Sequence, residues 1–238
     1  MKGRRSWLVT AAAMLGCAVT LALGFWQWGR AQQKLELQSA MEAREKLPPV
    51  DIREVLAAPD IAPFQHRRVR LRGTWGAPVV FLDNRQMEGK VGFYVVAPLQ
   101  VDGGAVAVQR GWAPRNFERR EQLPAVTTPA GTVEIEARIA PPPAKLYAFA
   151  EAEQGPIRQN LDLARFGAES RLPLATQFSV QQLGPASEGL SRRWPQAGSG
   201  AEKNWGYAFQ WWALSALIAI LYVWFQFVRP SRAARAPR

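Results

Sequence analysis

WLVTAAAMLGCAVTLALGFWQW (residues 7–28) holds no charged residue. At about 1.5 Å of rise per residue, a helix of that length crosses a hydrocarbon core of roughly 30 Å. A second stretch, WGYAFQWWALSALIAILYVWFQFV (205–228), has the same character. Residues 29–203 between them are of ordinary globular composition, with no further apolar run of that length. The sequence therefore predicts an α+β membrane protein. Its two-helix transmembrane hairpin, 7–28 and 205–228, brackets a mostly antiparallel β domain with short helices over 29–203.

Charge sets the expected orientation. All 19 acidic residues lie between the two runs, while Lys2, Arg4, Arg5, Arg229, Arg232, Arg235 and Arg238 lie in the tails 1–6 and 229–238. Lys and Arg in short tails favour the cytoplasm, whereas long loops translocate largely regardless of charge. Arg30 and Lys34 blunt this bias without reversing it. The expectation is a multi-pass protein of the cell inner membrane, both termini cytoplasmic and the main domain periplasmic.

Alternatives for the first run are weaker. It continues through Leu21-Ala22-Leu23-Gly24-Phe25-Trp26, too long for the apolar region of a cleaved signal peptide. Cys17 follows Met14-Leu15-Gly16 as in a lipoprotein site but sits in the middle of the run. The reading is an uncleaved anchor. Ala12, Gly16, Thr20 and Gly24 recur every four residues, and Ser215 and Ala219 offer a counterpart on the second run. Such stripes let two helices approach closely in lipid.

The sequence pI of about 10.6 would suggest nucleic acid in a soluble protein. Here much of the excess charge is topogenic, and no basic block is interleaved with aromatics. Membrane lipid is the expected surface partner, and nucleic acid is not. Cys17 is the single cysteine and His66 the single histidine, so no Cys/His metal site is expected. There is no His-based nucleophile system, no G-x-S-x-G and no glycine loop to cradle phosphate, so no enzyme is expected.

Between the runs, residues 29–46 are rich in helix formers and continue the first helix until Pro48-Pro49 ends it. DIREVLAA (51–58) reads as a short helix with Asp51 at or near its N-cap. RRVRLRGTW alternates, placing Val69, Leu71, Gly73 and Trp75 on one face and Arg68, Arg70, Arg72 and Thr74 on a wet one. VVFL (79–82) is a strand ending at Asp83-Asn84. GFYVVAPLQV and AVAVQRGW, joined through Asp102-Gly103-Gly104, form a β-hairpin. TVEIEARI (132–139) is a strand stopped by Pro141-Pro142-Pro143. A short helix follows at about Leu161 to Ala168, and FSVQQL (178–183) is a last strand. Residues 184–201, rich in Gly, Ser and Pro, read as a linker. The sheet is expected to curl toward a barrel.

Four segments in order carry a resemblance. They are GFWQWGRAQQKLEL (24–37), RRVRLRGTW with Leu82, Arg85 and GFYVVAPL, QRGWAP (109–114), and NWGYAFQWWALS (204–215). Together they resemble the Surfeit locus protein 1 family, inner-membrane assembly factors of haem-copper cytochrome c oxidase. The resemblance implies a chaperone of the respiratory chain that helps place or retain haem a in the haem-bearing oxidase subunit. Its partners would be that subunit and haem a synthase. It implies transient haem a binding, yet Asn204 stands where many members carry the histidine that ligates iron, and an amide is a poor haem ligand.

Candidate contacts for haem or partner are Gln27, Arg30, Arg85, Arg110, Trp112, Asn204, Tyr207 and Trp211. Arg85 and Arg110 stand out because a rigidly held guanidinium suits carboxylates, haem propionates included. An internal ion pair is the alternative, with Asp83 a candidate partner for Arg110. Gln27 and Arg30 would face ligand or lipid headgroups. Trp211 and Trp212 lie deeper in the second run than the aromatic anchors at its ends. A different class of function, a membrane-anchored sensor or scaffold, fits the general features equally well, but a sensor would carry a cytoplasmic output domain.

Overall fold

The computed structural model describes residues 2–119, 122–146, 155–195 and 200–228. The chain divides into two compact units, residues 1–39 with 196–238, and residues 40–195. The charged tail at 229–238, part of the orientation argument, lies outside the described residues.

The first unit is built on two apolar helices, α1 (Lys2–Glu45) and α4 (Ala201–Val223), the latter continued by a π turn at Trp224–Val228. Both are long and apolar enough to cross a membrane. As expected, α1 runs without a break from its apolar half through the polar residues 29–45. The helices touch in antiparallel register. Thr10 pairs with Tyr222 at 2.8 Å, the Cys17 thiol donates to the Ser215 carbonyl, and Asn204 Nδ2 donates to Gln27 Oε1 at 2.6 Å. The small-residue stripe is the contact: a Cβ on Gly24 would lie 2.2 Å from the Trp212 indole, and Ile218 seats against Gly16. Thr20 satisfies its own hydroxyl on the Gly16 and Cys17 carbonyls. The arrangement is not a simple hairpin, however. No turn joins the helices, because residues 46–200 fold between them.

The second unit is a barrel with an extension. Five strands close a ring in the order β1 (Arg68–Trp75), β5 (Thr132–Ala140), β7 (Ser179–Gln182), β4 (Gly104–Pro114), β3 (Lys90–Val101) and back to β1. Closure is possible because β3 is 12 residues long. Its last residues, Leu99–Val101, pair with β1, while Lys90–Val96 pair with β2 (Val80–Met87). β2 thus leaves the ring and carries the two-residue β6 (Ile157–Arg158) on its outer edge. All pairings are antiparallel except β4–β7 and β2–β6.

The strand alternation read from sequence sets the core. Val69, Leu71, Leu99, Val101, Val106, Val108, Ala137, Ile139, Phe178 and Val180 fill the ring, and Ile52 and Val55 of α2 (Ile52–Ala57) pack onto them. Asp51 caps α2, accepting from the Arg53 amide. The Arg68, Arg70, Arg72 row is the wet face, with Arg68 and Arg72 reaching Glu136 and Glu134 across the β1–β5 ladder. The β3–β4 hairpin turns on Asp102-Gly103, with Gly103 at φ 86°, a value that glycine adopts without a Cβ clash. A third helix, α3 (Leu163–Ser170), starts two residues later than expected, where Asp162 accepts from the Arg165 amide.

Two expectations fail. β2 does not end at Asp83-Asn84 but bulges there and continues to Met87, because Asn84 adopts φ 58°, a conformation asparagine tolerates. Residues 184–195 are not a plain linker. Leu190, Arg192 and Trp194 are buried, and Ser191 exchanges both backbone hydrogen bonds with Trp112.

Candidate functional site

The Gln109-Arg110-Gly111-Trp112 segment of β4 lies where its register against β3 slips. Val96 faces Gln109 and Val95 faces Gly111, so Arg110 is the extra residue of a β-bulge. A bulge redirects a side chain, and Arg110 turns into a sealed pocket with none of its surface exposed. Its Nη2 donates to Glu188 Oε2 at 2.9 Å and to the Thr127 carbonyl at 2.6 Å, and Nη1 donates to Thr128 Oγ1 at 2.7 Å. Its Cζ lies 4.6 Å from the centroid of the Trp75 ring, within cation–π range.

Arg192 completes this arrangement. Its Nη2 reaches the same Glu188 oxygen at 3.2 Å, Nε donates to the Arg110 carbonyl, and Nη1 bonds Ser187 Oγ and the Pro185 carbonyl. One carboxylate thus serves two buried guanidiniums. Burial pulls the Arg192 pKa down, Glu188 opposes that shift and Arg110 adds to it. The internal ion pair is therefore the correct reading of Arg110, but its partner is Glu188. Asp83 binds Arg115 instead, at 3.2 Å.

Gly111 allows the segment to dock. A Cβ there would stand 2.8 Å from both Leu190 Cβ and the Ser191 carbonyl oxygen. Next to it, Trp112 crosses β3 above Gly92, where a Cβ would meet the indole at 2.6 Å. The ring thereby reaches β2, and its Nε1 donates to the backbone carbonyl of Arg85 at 2.9 Å. Met87, Trp112 and Trp194 form one buried cluster with Tyr94 packed against it. Trp194 Nε1 donates to the Gln182 carbonyl, and its ring meets Tyr94 edge-on at 5.2 Å.

Arg85 is 6% exposed. Its Nη2 donates to the Gln159 carbonyl at 2.8 Å, and its Nε is sealed from solvent without an acceptor. Burial lowers the Arg85 pKa and raises that of Tyr94, each opposed by the field of the other.

The remaining candidates lie in the helical unit. Asn204 is held at both ends of its amide. Its Nδ2 is given to Gln27 Oε1, and its Oδ1 accepts from Lys34 Nζ at 2.7 Å. Arg30 is exposed and reaches Gln33 at 3.4 Å. Tyr207 is 53% exposed, and Trp211 is half-buried. The eight candidates divide between the two units. Gln27 meets Asn204, and Trp112 joins Arg85 to the Arg110 bulge.

Sequence reading missed Glu188, Arg192 and Trp194. The available signal was a Trp and two Arg within an otherwise Gly/Ser/Pro-rich stretch. A haem ligated through position 204 does not fit these residues, since both heteroatoms of the amide are engaged by α1. His66, the sole histidine, lies in the β domain at φ 67°. Its pKa is lowered by burial first, then by Arg138 and Arg44. Among the described residues, no three His, Cys, Asp or Glu side chains gather to hold a metal.

Comparison with known proteins agrees with this architecture. A SURF1-like protein of Dictyostelium discoideum is 27% identical over 115 residues, which is 44% of this chain and 43% of that protein. The match thus spans less than half of the relative's length. The profile described as the SURF1 family covers residues 14–216, from the apolar half of α1, through the barrel, into α4. With the whole β domain and part of each helix inside that match, the chain belongs to the SURF1 family.

Proposed function

We propose that this protein is a membrane-anchored assembly factor of haem-copper cytochrome c oxidase, acting without catalytic turnover of its own. The observation that carries this reading is the extent of the family match, 14–216, which runs from inside α1 through the barrel into α4 rather than over one shared module. Two helices of spanning length and composition support insertion in the inner membrane. The uneven charge of the tails supports cytoplasmic termini and a periplasmic barrel. Exposed Leu8, Leu15, Phe25, Phe209, Leu217 and Ile220 give the helices the outer surface that lipid requires.

The client we assign is the haem-bearing oxidase subunit, with haem a synthase as a further partner, at the stage when haem a is placed or retained. Because an amide is a poor haem ligand and Gln27 and Lys34 hold Asn204 at both ends, the protein acts on that subunit by docking and donates no ligand from this position. The test is a deletion strain, scored for oxidase activity and for the reduced-minus-oxidised haem spectrum of its membranes. Lost activity with a diminished haem a band, restored by the intact gene, is the expected result. Unchanged activity and spectrum would reject the assembly role in favour of an envelope sensor or scaffold.

A further inference from the structure

A guanidinium taken out of water needs a counter-charge, and leaving one without it costs several kcal/mol. Among the described residues, four arginines are buried: Arg85, Arg110, Arg158 and Arg192. Three meet a carboxylate. Arg110 and Arg192 share Glu188, and Arg158 Nη2 lies 2.6 Å from Glu169 Oε2. Arg85 meets none, and its hydrogen bond goes to a neutral carbonyl; an Nε without an acceptor is common to Arg85 and Arg110, so the missing carboxylate is what sets Arg85 apart.

The surroundings of Arg85 are apolar and aromatic. Arg85 pairs with Gly92, so it shares a sheet face with Tyr94, two residues along β3, and with Met87, two along β2. Trp112 pairs with Tyr94 on that face and reaches the Arg85 backbone, and Trp194 closes on Tyr94. Tyr94 is half-buried and Arg85 retains some exposure, so the guanidinium lies just beneath the surface.

We propose that Arg85 anchors a binding site for a small amphiphile bearing a carboxylate on an apolar body, with Met87, Tyr94, Trp112 and Trp194 as its apolar wall. The guanidinium, without a counter-charge among the described residues, presents its Nη edge, whose planar N–H groups match a carboxylate. One buried positive charge suits a monoanion. A phosphate dianion would leave net negative charge against aromatic rings. The site does not rest on the oxidase reading, and its test does not use oxidase activity.

The test is thermal unfolding of the full chain in detergent, followed by tryptophan fluorescence, for wild type, Arg85→Met and Arg85→Gln. The probes are 4-phenylbutyrate, its uncharged amide, and inorganic phosphate. Without ligand, Arg85→Met is expected to raise the midpoint by about 2–4 °C, because a charge without a partner is gone. 4-Phenylbutyrate should raise the wild-type midpoint saturably and leave both variants unmoved, while the amide shifts none of them. Lower midpoints in both variants without ligand would make Arg85 a structural residue and overturn the proposal. So would a wild-type protein that does not respond to 4-phenylbutyrate, a response that persists in the variants, or a larger response to phosphate.

Discussion

Trp112 separates two regions that bury arginine in opposite ways. On one side, residues 184–195 fold over the β4 bulge and surround Arg110 and Arg192 with a carboxylate, a hydroxyl from Thr128 and several carbonyls. On the other, the β2 extension holds Arg85 with one neutral acceptor among the described residues. A buried charge held by a counter-ion and several acceptors fixes one conformation, whereas one without a counter-ion is a standing cost, found where a protein binds something. The first region is built for stability and the second for recognition.

The strongest way to break this contrast is Glu188→Gln. It keeps the size of the side chain but leaves two buried guanidiniums facing each other. We expect a loss of about 3–5 kcal/mol in chemical denaturation of the full chain. A loss under roughly 1 kcal/mol, the range of exposed pairs, would show that water already screens these charges and that the two regions do not differ in kind.

Gly111→Ala comes next. The added methyl must displace Leu190 Cβ and the Ser191 carbonyl, both at 2.8 Å, and β4 and its docked segment offer backbone there, not a flexible side-chain end. About 1–3 kcal/mol is expected, with faster proteolysis between 184 and 195 as the local readout. If Arg85 responds to 4-phenylbutyrate as before in this variant, the two regions are independent. If the response is lost, Trp112 couples them.

The same contrast explains what was legible in the sequence. Uninterrupted apolar runs exposed both long helices, and period-two alternation exposed β1, β5 and the β3–β4 hairpin, because these signals are local. β2 was cut short because an Asp-Asn pair signals a turn, and only the pairing with β3 shows that the ladder resumes after it. Arg110 was singled out as a contact for ligand or partner, whereas its side chain is sealed against Glu188, 78 residues away along the chain, in a stretch whose composition reads as linker. Asn204 and Gln27 were both candidates for outside contacts. Their bond to each other depends on how α1 and α4 pack, which neither segment encodes alone. Burial of Arg85 without a counter-ion was invisible for the same reason: a missing partner leaves no mark in sequence.

The smallest expected effect gives the cleanest discrimination. Arg158 and Glu169 are a third case, a buried guanidinium paired with a carboxylate that keeps 27% of its side chain exposed. The hydrogen bond from Arg158 is the main cause that holds the Glu169 carboxyl below the usual carboxylate range. Below an unfolded value of about 4.3, the unfolded chain takes up the proton first. The stabilisation is therefore complete above that value and disappears as pH falls through the lower folded one. Glu169→Gln should cost about 1 kcal/mol at pH 7, and its midpoint should converge on that of the wild type as the pH falls toward 3. Arg85→Met should behave differently. With no carboxylate beside Arg85 among the described residues, its raised midpoint should hold a constant offset from wild type over the same range. If that offset changes with acid, a titrating group does serve Arg85, and the distinction between the paired arginines and the open one fails.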